Sequence, residues 1–163
     1  MNAISAIAAI GHDDIVPCTG RWNPDVFRSK LIDKLAEVET WAVDRLRAAN
    51  PGRKMKPTLG LRLGAVKTLT ESHPHLFRHA ATAARLIDEL RPFQDLRSTL
   101  AHATLAVAHQ SDGVAFSVFD RADADADMPW ATRITLLDAD FRQIWKRVSD
   151  LANQIKQQTP SSV

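Results

Sequence analysis

Cysteine is nearly missing from this 163-residue chain, where Cys18 stands alone. An intrachain disulfide is therefore excluded, which fits a reducing compartment such as the cytoplasm. A glycine-rich phosphate loop, a nucleophile elbow and a paired Cys-x-x-Cys are also lacking, so dinucleotide enzymes, kinases and serine hydrolases are poor matches. No run approaches the roughly 18 apolar residues that a bilayer span needs, and no membrane association is expected. Charge of one sign is lacking as well. A formal net charge of +2 does not announce a nucleic-acid binder, because such a surface needs its positive charge gathered on one face.

What is present is ordinary globular composition, 45% hydrophobic and 25% charged, in a length that suits one domain with a substantial core. Ala3 to Ile10 is apolar, but it is short, has no basic stretch before it and meets His12, Asp13 and Asp14 at once. It reads as a loosely ordered start or a short docking helix and not as a signal peptide. Residues 1–22 are thus expected to form a loosely ordered segment, 23–158 a single helical domain and 159–163 a frayed tail.

Helical periodicity dominates that domain. Asn23-Pro24-Asp25 has the order of an N-cap followed by proline at the first helical position. Phe27, Leu31, Leu35, Val38, Ala42 and Leu46 then recur on one face, widened by Ile32 and Trp41, until Asn50-Pro51-Gly52 opposes continuation. A second helix is expected from Leu59 to Leu69, with Gly60 and Gly64 weakening it while permitting a close helix approach. A third is expected from His75 to Leu90. Pro92 should kink or divide the pattern, leaving Phe93 to Ala108 as a further helical segment. Val114 to Phe119 and Thr132 to Leu137 read as a hairpin around an acidic loop. A strong amphipathic helix from about Asp138 to Gln157 closes the domain, with Asp138 and Asp140 in its first turn. Phe141, Ile144, Trp145, Val148, Leu151, Ala152 and Ile155 form its apolar stripe. The expected architecture is mainly α, four to five helices with a short β-hairpin before the C-terminal helix.

Near the end of the central helical region stands Arg97-Ser98-Thr99-Leu100-Ala101-His102. It joins a permanent cation to a side chain that exchanges a proton near neutral pH. The spacing resembles the Arg-x(4–6)-His motif of the HEPN superfamily, small helical proteins many of which are metal-independent ribonucleases. Ala101-His102 matches the family's usual Arg-Asn-x-x-Ala-His ending, whereas Ser98 stands where Asn, Asp or His is usual. The resemblance covers roughly Asp25 to Lys156, specifically only at the motif. It implies a HEPN-like helical bundle acting on RNA without metal or other cofactor. Arg97 would grip phosphate, His102 would act as general acid or base, and Asp95 and Ser98 would support them. It further implies a homodimer whose two motifs share one cleft, and a toxin–antitoxin or defence setting with a protein partner such as an antitoxin.

Helix geometry bears on the dimer independently. Residues five apart on a straight helix point about 140° away from each other with roughly 7.5 Å of rise. Arg97 and His102 therefore meet only through arginine's reach, a distorted helix or a second subunit. The competing reading is a non-catalytic helical dimer that binds a protein partner or RNA, with Arg97 and His102 as a capping or interface pair.

Other constellations are weaker. Arg53, Lys54 and Lys56 form the densest basic run and would supply salt-sensitive RNA backbone contacts, unless they are simply a solvated loop. His75 and His79 would share a helix face, but without a His-Glu-x-x-His arrangement a metal site is not expected. Asp123, Asp125 and Asp127 imitate a calcium loop, yet Met128 and Ile134 replace its glycine and glutamate. Trp41 and Trp145 belong to the core by periodicity, whereas Trp22 and Trp130 lie in loops.

Overall fold

Asn23 sets the start of the first helix. In the computed structural model, which describes residues 23–52, 54–109, 115–121 and 132–160, its Oδ1 accepts hydrogen bonds from the backbone N–H groups of Asp25 (2.8 Å) and Val26 (3.4 Å). These are donors that a helix N-terminus cannot satisfy internally. Helix α1 (Pro24–Ala49) follows, and every residue of its expected stripe from Phe27 to Leu46 is fully buried, although Ile32 is only half-buried. Each such Leu or Phe contributes about 1.5–3 kcal/mol through removal from water. Helix α2 (Leu59–Ser72) is capped by Thr58, whose Oγ1 accepts from the N–H of Leu61, and buries Leu59, Leu63, Val66 and Leu69. A 3₁₀ turn (Pro74–Leu76) precedes helix α3 (Ala80–His102). Strands β1 (Thr104–His109), β2 (Ala115–Arg121) and β3 (Thr132–Leu137) then lead directly into helix α4 (Asp138–Lys156). Asp140, in the first turn of α4, accepts from the N–H of Leu137 at 2.7 Å, half of a capping box.

Three expectations need correction. The hairpin is a three-stranded antiparallel sheet in the order β1-β2-β3, with Leu105 opposite Phe119 and Phe119 opposite Ile134. Its extra strand comes from the segment expected to continue the motif helix to Ala108. Thr104 to His109 holds two alanines and one leucine beside Thr104 and Val107, but six residues pair with β2, and tertiary pairing decides where local preference is weak. Pro92 does not divide the third helix. It lies inside a continuous α3, where Leu90, Phe93, Leu96 and Leu100 are all buried, so packing outweighs the roughly 3 kcal/mol cost of an internal proline. Finally, α3 starts at Ala80 and not at His75.

The chain divides into two compact units. The motif unit holds Met1–Ile32 and Asp95–Arg147. Within it Phe27 stacks on Phe141 at 4.6 Å between ring centroids. Ser117, Phe119, Ile134 and Leu136 share the buried face of the sheet, while Arg133, Thr135 and Leu137 alternate onto the exposed one. Sheet and helices together supply the apolar cover that three short strands need. The second unit holds Asp33–Gln94 and Val148–Val163. There Trp41 lies 6.2 Å from Phe77, the Arg45 guanidinium donates to the Leu76 carbonyl, and the N–H of Arg78 donates to the carbonyl of Gln158. Gly60 admits the side chain of Gln94, because a β-carbon there would lie 2.5 Å from Gln94 Nε2, whereas Gly64 faces nothing within 4 Å. Only one of the two glycines thus serves a close approach. Ala3–Ile10, Cys18, Trp22, Arg53, the Asp123–Asp127 run and Trp130 lie outside the described residues.

Candidate functional site

The motif occupies the last turns of α3 inside one unit. Leu96 and Leu100 are buried, one helical turn apart, and fix this part of the helix. Arg97 follows Leu96, so its stem leaves the edge of the apolar stripe and the residue is half-buried. Its Nε is buried with no hydrogen-bond partner, and among the described residues no ion pair engages its guanidinium. Leaving a buried donor unpaired costs about 1–3 kcal/mol, and more for a charged group. Arg45 and Arg142 also have an unpaired Nε, but Arg45 Nη1 donates to Leu76 and Arg142 is engaged elsewhere. Among the described residues, Arg97 is the one of these three whose guanidinium makes no hydrogen bond or ion pair.

His102 is the last residue of α3 and is exposed. α3 remains α-helical through His102, and on such a helix residues five apart point about 140° away from each other. Ser98 is half-buried between them in sequence. Asp95 is exposed, its carbonyl accepts from Thr99 Oγ1 at 3.2 Å, and at two residues' separation it projects from a different face than Arg97.

A residue that sequence spacing did not single out completes the neighbourhood. Arg28 of α1 donates through Nη1 to the carbonyl of Ala103 (3.2 Å), the residue after His102, and through Nη2 to Asp25 Oδ1 (2.7 Å). No local pattern announces a contact across 75 positions. The only available signal is that Arg28 directly follows the core residue Phe27 and so sits beside the apolar stripe.

The remaining candidates are not gathered here. Lys54 and Lys56 are exposed and belong to the second unit, where the Lys56 carbonyl accepts from Arg62 Nε at 2.6 Å. His75 lies in the 3₁₀ turn and His79 precedes α3, so the shared helix face expected for them does not exist. The rings of His73 and His75 are 5.9 Å apart, and among the described residues no three His, Cys, Asp or Glu side chains cluster as metal ligands. Trp145 is half-buried instead of fully buried, with Lys30 Nζ 5.9 Å from its ring. Among the described residues no helix is long and apolar enough to cross a membrane. No family model, curated protein or solved structure matches the chain.

Proposed function

We propose that the chain is a HEPN-like protein that acts on RNA as a metal-independent endoribonuclease, with Arg97 and His102 of two copies lining one cleft. The observation that carries this reading is the buried, unpartnered Nε of Arg97 five residues before an exposed histidine. A charge kept half-buried at a cost in stability suits a group whose partner arrives with a ligand. Planar and always protonated, a guanidinium matches phosphate oxygens with paired donors.

In the proposed reaction the ribose 2′-oxygen attacks the adjacent phosphorus while an imidazole takes the 2′-hydroxyl proton. The bond from phosphorus to the 5′-oxygen breaks, and a protonated imidazole supplies the proton that this oxygen needs. The products are a 2′,3′-cyclic phosphate and a 5′-hydroxyl. Arg97 stabilises the charge that builds on the non-bridging oxygens. A regular helix sets Arg97 and His102 of one copy about 140° apart, and besides the long reach of the arginine an isologous dimer would supply both groups to one phosphate.

The test is an RNA cleavage assay in excess chelator, run on the wild type, Arg97→Ala and His102→Ala with their folds checked by circular dichroism. Cleavage that survives chelation and disappears in both variants supports the reading, as does loss of activity on dilution to monomer. Full activity in His102→Ala removes it. The same helix geometry, together with Ser98 at the motif's second position, favours a second reading, a non-catalytic dimer that binds RNA or a protein partner such as an antitoxin. Intact RNA in every assay, alongside co-purification of one discrete protein, selects that alternative.

A further inference from the structure

We infer that Arg28 is a positioning residue for His102, holding the end of the motif helix from α1. This inference rests on the RNA-cleavage reading for its functional consequence but not for its structural test. The last turn of any helix leaves carbonyl groups without intrahelical donors, and an unheld last turn frays. At the end of α3 the fork of Arg28 closes that gap. Nη1 donates to the Ala103 carbonyl and Nη2 is fixed by Asp25 in the first turn of its own helix. Ala103 is itself buried, so the residue immediately after His102 is held both by packing and by the hydrogen bond to its carbonyl.

His102 is exposed, with no described side chain holding its ring. The direction of its imidazole is therefore set by its backbone, and Arg28 fixes that backbone from outside the helix. Beyond Ala103 the chain turns at once into β1, so α3 has no further turn of its own to restrain His102. A charged donor on a carbonyl is stronger than a neutral one, and the Asp25 carboxylate orients it. The arrangement resembles the supporting groups that keep catalytic imidazoles aligned, except that it acts through the main chain.

The experiment compares the His102 ring signal, observed by NMR in histidine-labelled protein and assigned by its loss in His102→Asn. Arg28→Ala should shift or broaden that signal, Arg28→Lys should restore most of it, and Arg91→Ala, at an exposed site on the same helix, should leave it in place. If Arg28→Ala does not fold, Asp25→Asn releases the fork and should move the signal in the same sense. In RNA cleavage, Arg28→Ala should lower kcat between roughly tenfold and a hundredfold, the scale of a misplaced catalytic group. KM should stay within about twofold, because ground-state binding is not the interaction removed. An unmoved His102 signal in folded Arg28→Ala or Asp25→Asn overturns the inference. A wild type that never cleaves RNA overturns the proposed function, while the His102 signal still decides the role of Arg28.

Discussion

Arg62 and Arg97 are both half-buried arginines on helices, one in each compact unit, and the chain treats them differently. Arg62 is spent within the protein. Its Nη1 is paired with Glu39 of α1, and its Nε donates to the Lys56 carbonyl at the start of α2's approach. The same unit also pairs Lys67 with Asp88 and Lys156 with Glu37. Arg97 has its Nε buried with no such exchange. A half-buried cation with partners is explained by the fold that it helps to hold. One without them adds a desolvation cost and no internal return, which is why the end of α3, and not the basic loop before α2, is the better place to look for a bound phosphate.

The largest expected effect tests whether the motif unit depends on its own core. Phe27→Ala removes a fully buried ring stacked on Phe141 and should destabilise by about 3–5 kcal/mol, read as a lower urea midpoint. A loss below 1 kcal/mol would mean that α1 contributes little to the unit carrying the motif. The contrast between the two arginines is sharpened next. Arg62→Met leaves the Glu39 carboxylate without its guanidinium and should cost about 1–2 kcal/mol, within the range expected when a partly buried ion pair is broken. Arg97→Met keeps a similar stem, deletes a buried donor whose lack of a partner costs about 1–3 kcal/mol, and should leave stability unchanged or raise it by up to about that amount, because no internal interaction is lost. Equal losses in the two variants would erase the distinction on which the proposed site rests.

Much of this fold is legible in the amino-acid sequence. The Asn23-Pro24 start and the 3.6-residue stripe of α1 are local signals, as is the apolar face of α4 behind Asp140, and both helices are found with nearly the expected limits. Two of the errors are places where a distant group decides. Thr104 to His109 is a strand only because Ala115 to Asp120 lies beside it, and Pro92 stays within a helix only because Leu90 and Phe93 are buried on either side. The motif could be read, as could the mismatch of its two faces. The hold of Arg28 on Ala103 could not, since the two positions lie 75 residues apart and no periodicity connects them. Trp145 sits on the shoulder of the α4 stripe, where periodicity does not separate full burial from half-burial under a neighbouring lysine.

The glycines of α2 give a smaller test of local against distant control. Both weaken the helix intrinsically, yet only Gly60 is crossed by another side chain. Gly64→Ala should therefore stabilise by up to about 1 kcal/mol through helix propensity. Gly60→Ala must first displace the end of the Gln94 side chain and should gain less or lose outright. A thermal melt that ranks Gly60→Ala above Gly64→Ala would show that Gln94 moves aside without cost.

The smallest effect concerns the paired charges themselves. Hydrogen bonds from Lys156 and then Lys34 hold the Glu37 carboxyl below its ordinary value of 4.5. A carboxyl whose pKa falls on folding adds stability that is present above its unfolded pKa and is lost as pH drops through the lower folded value. Glu37→Gln should thus cost most at neutral pH, and its difference from the wild type should shrink as urea unfolding is repeated from about pH 5 downward. Because the carboxylate is 42% exposed, solvent screening limits the whole contribution to below about 1 kcal/mol, and added salt should reduce it further. A difference that widens toward low pH would place the carboxyl's preference in its neutral form, and the view of this unit as one whose charges are satisfied internally would lose its clearest member.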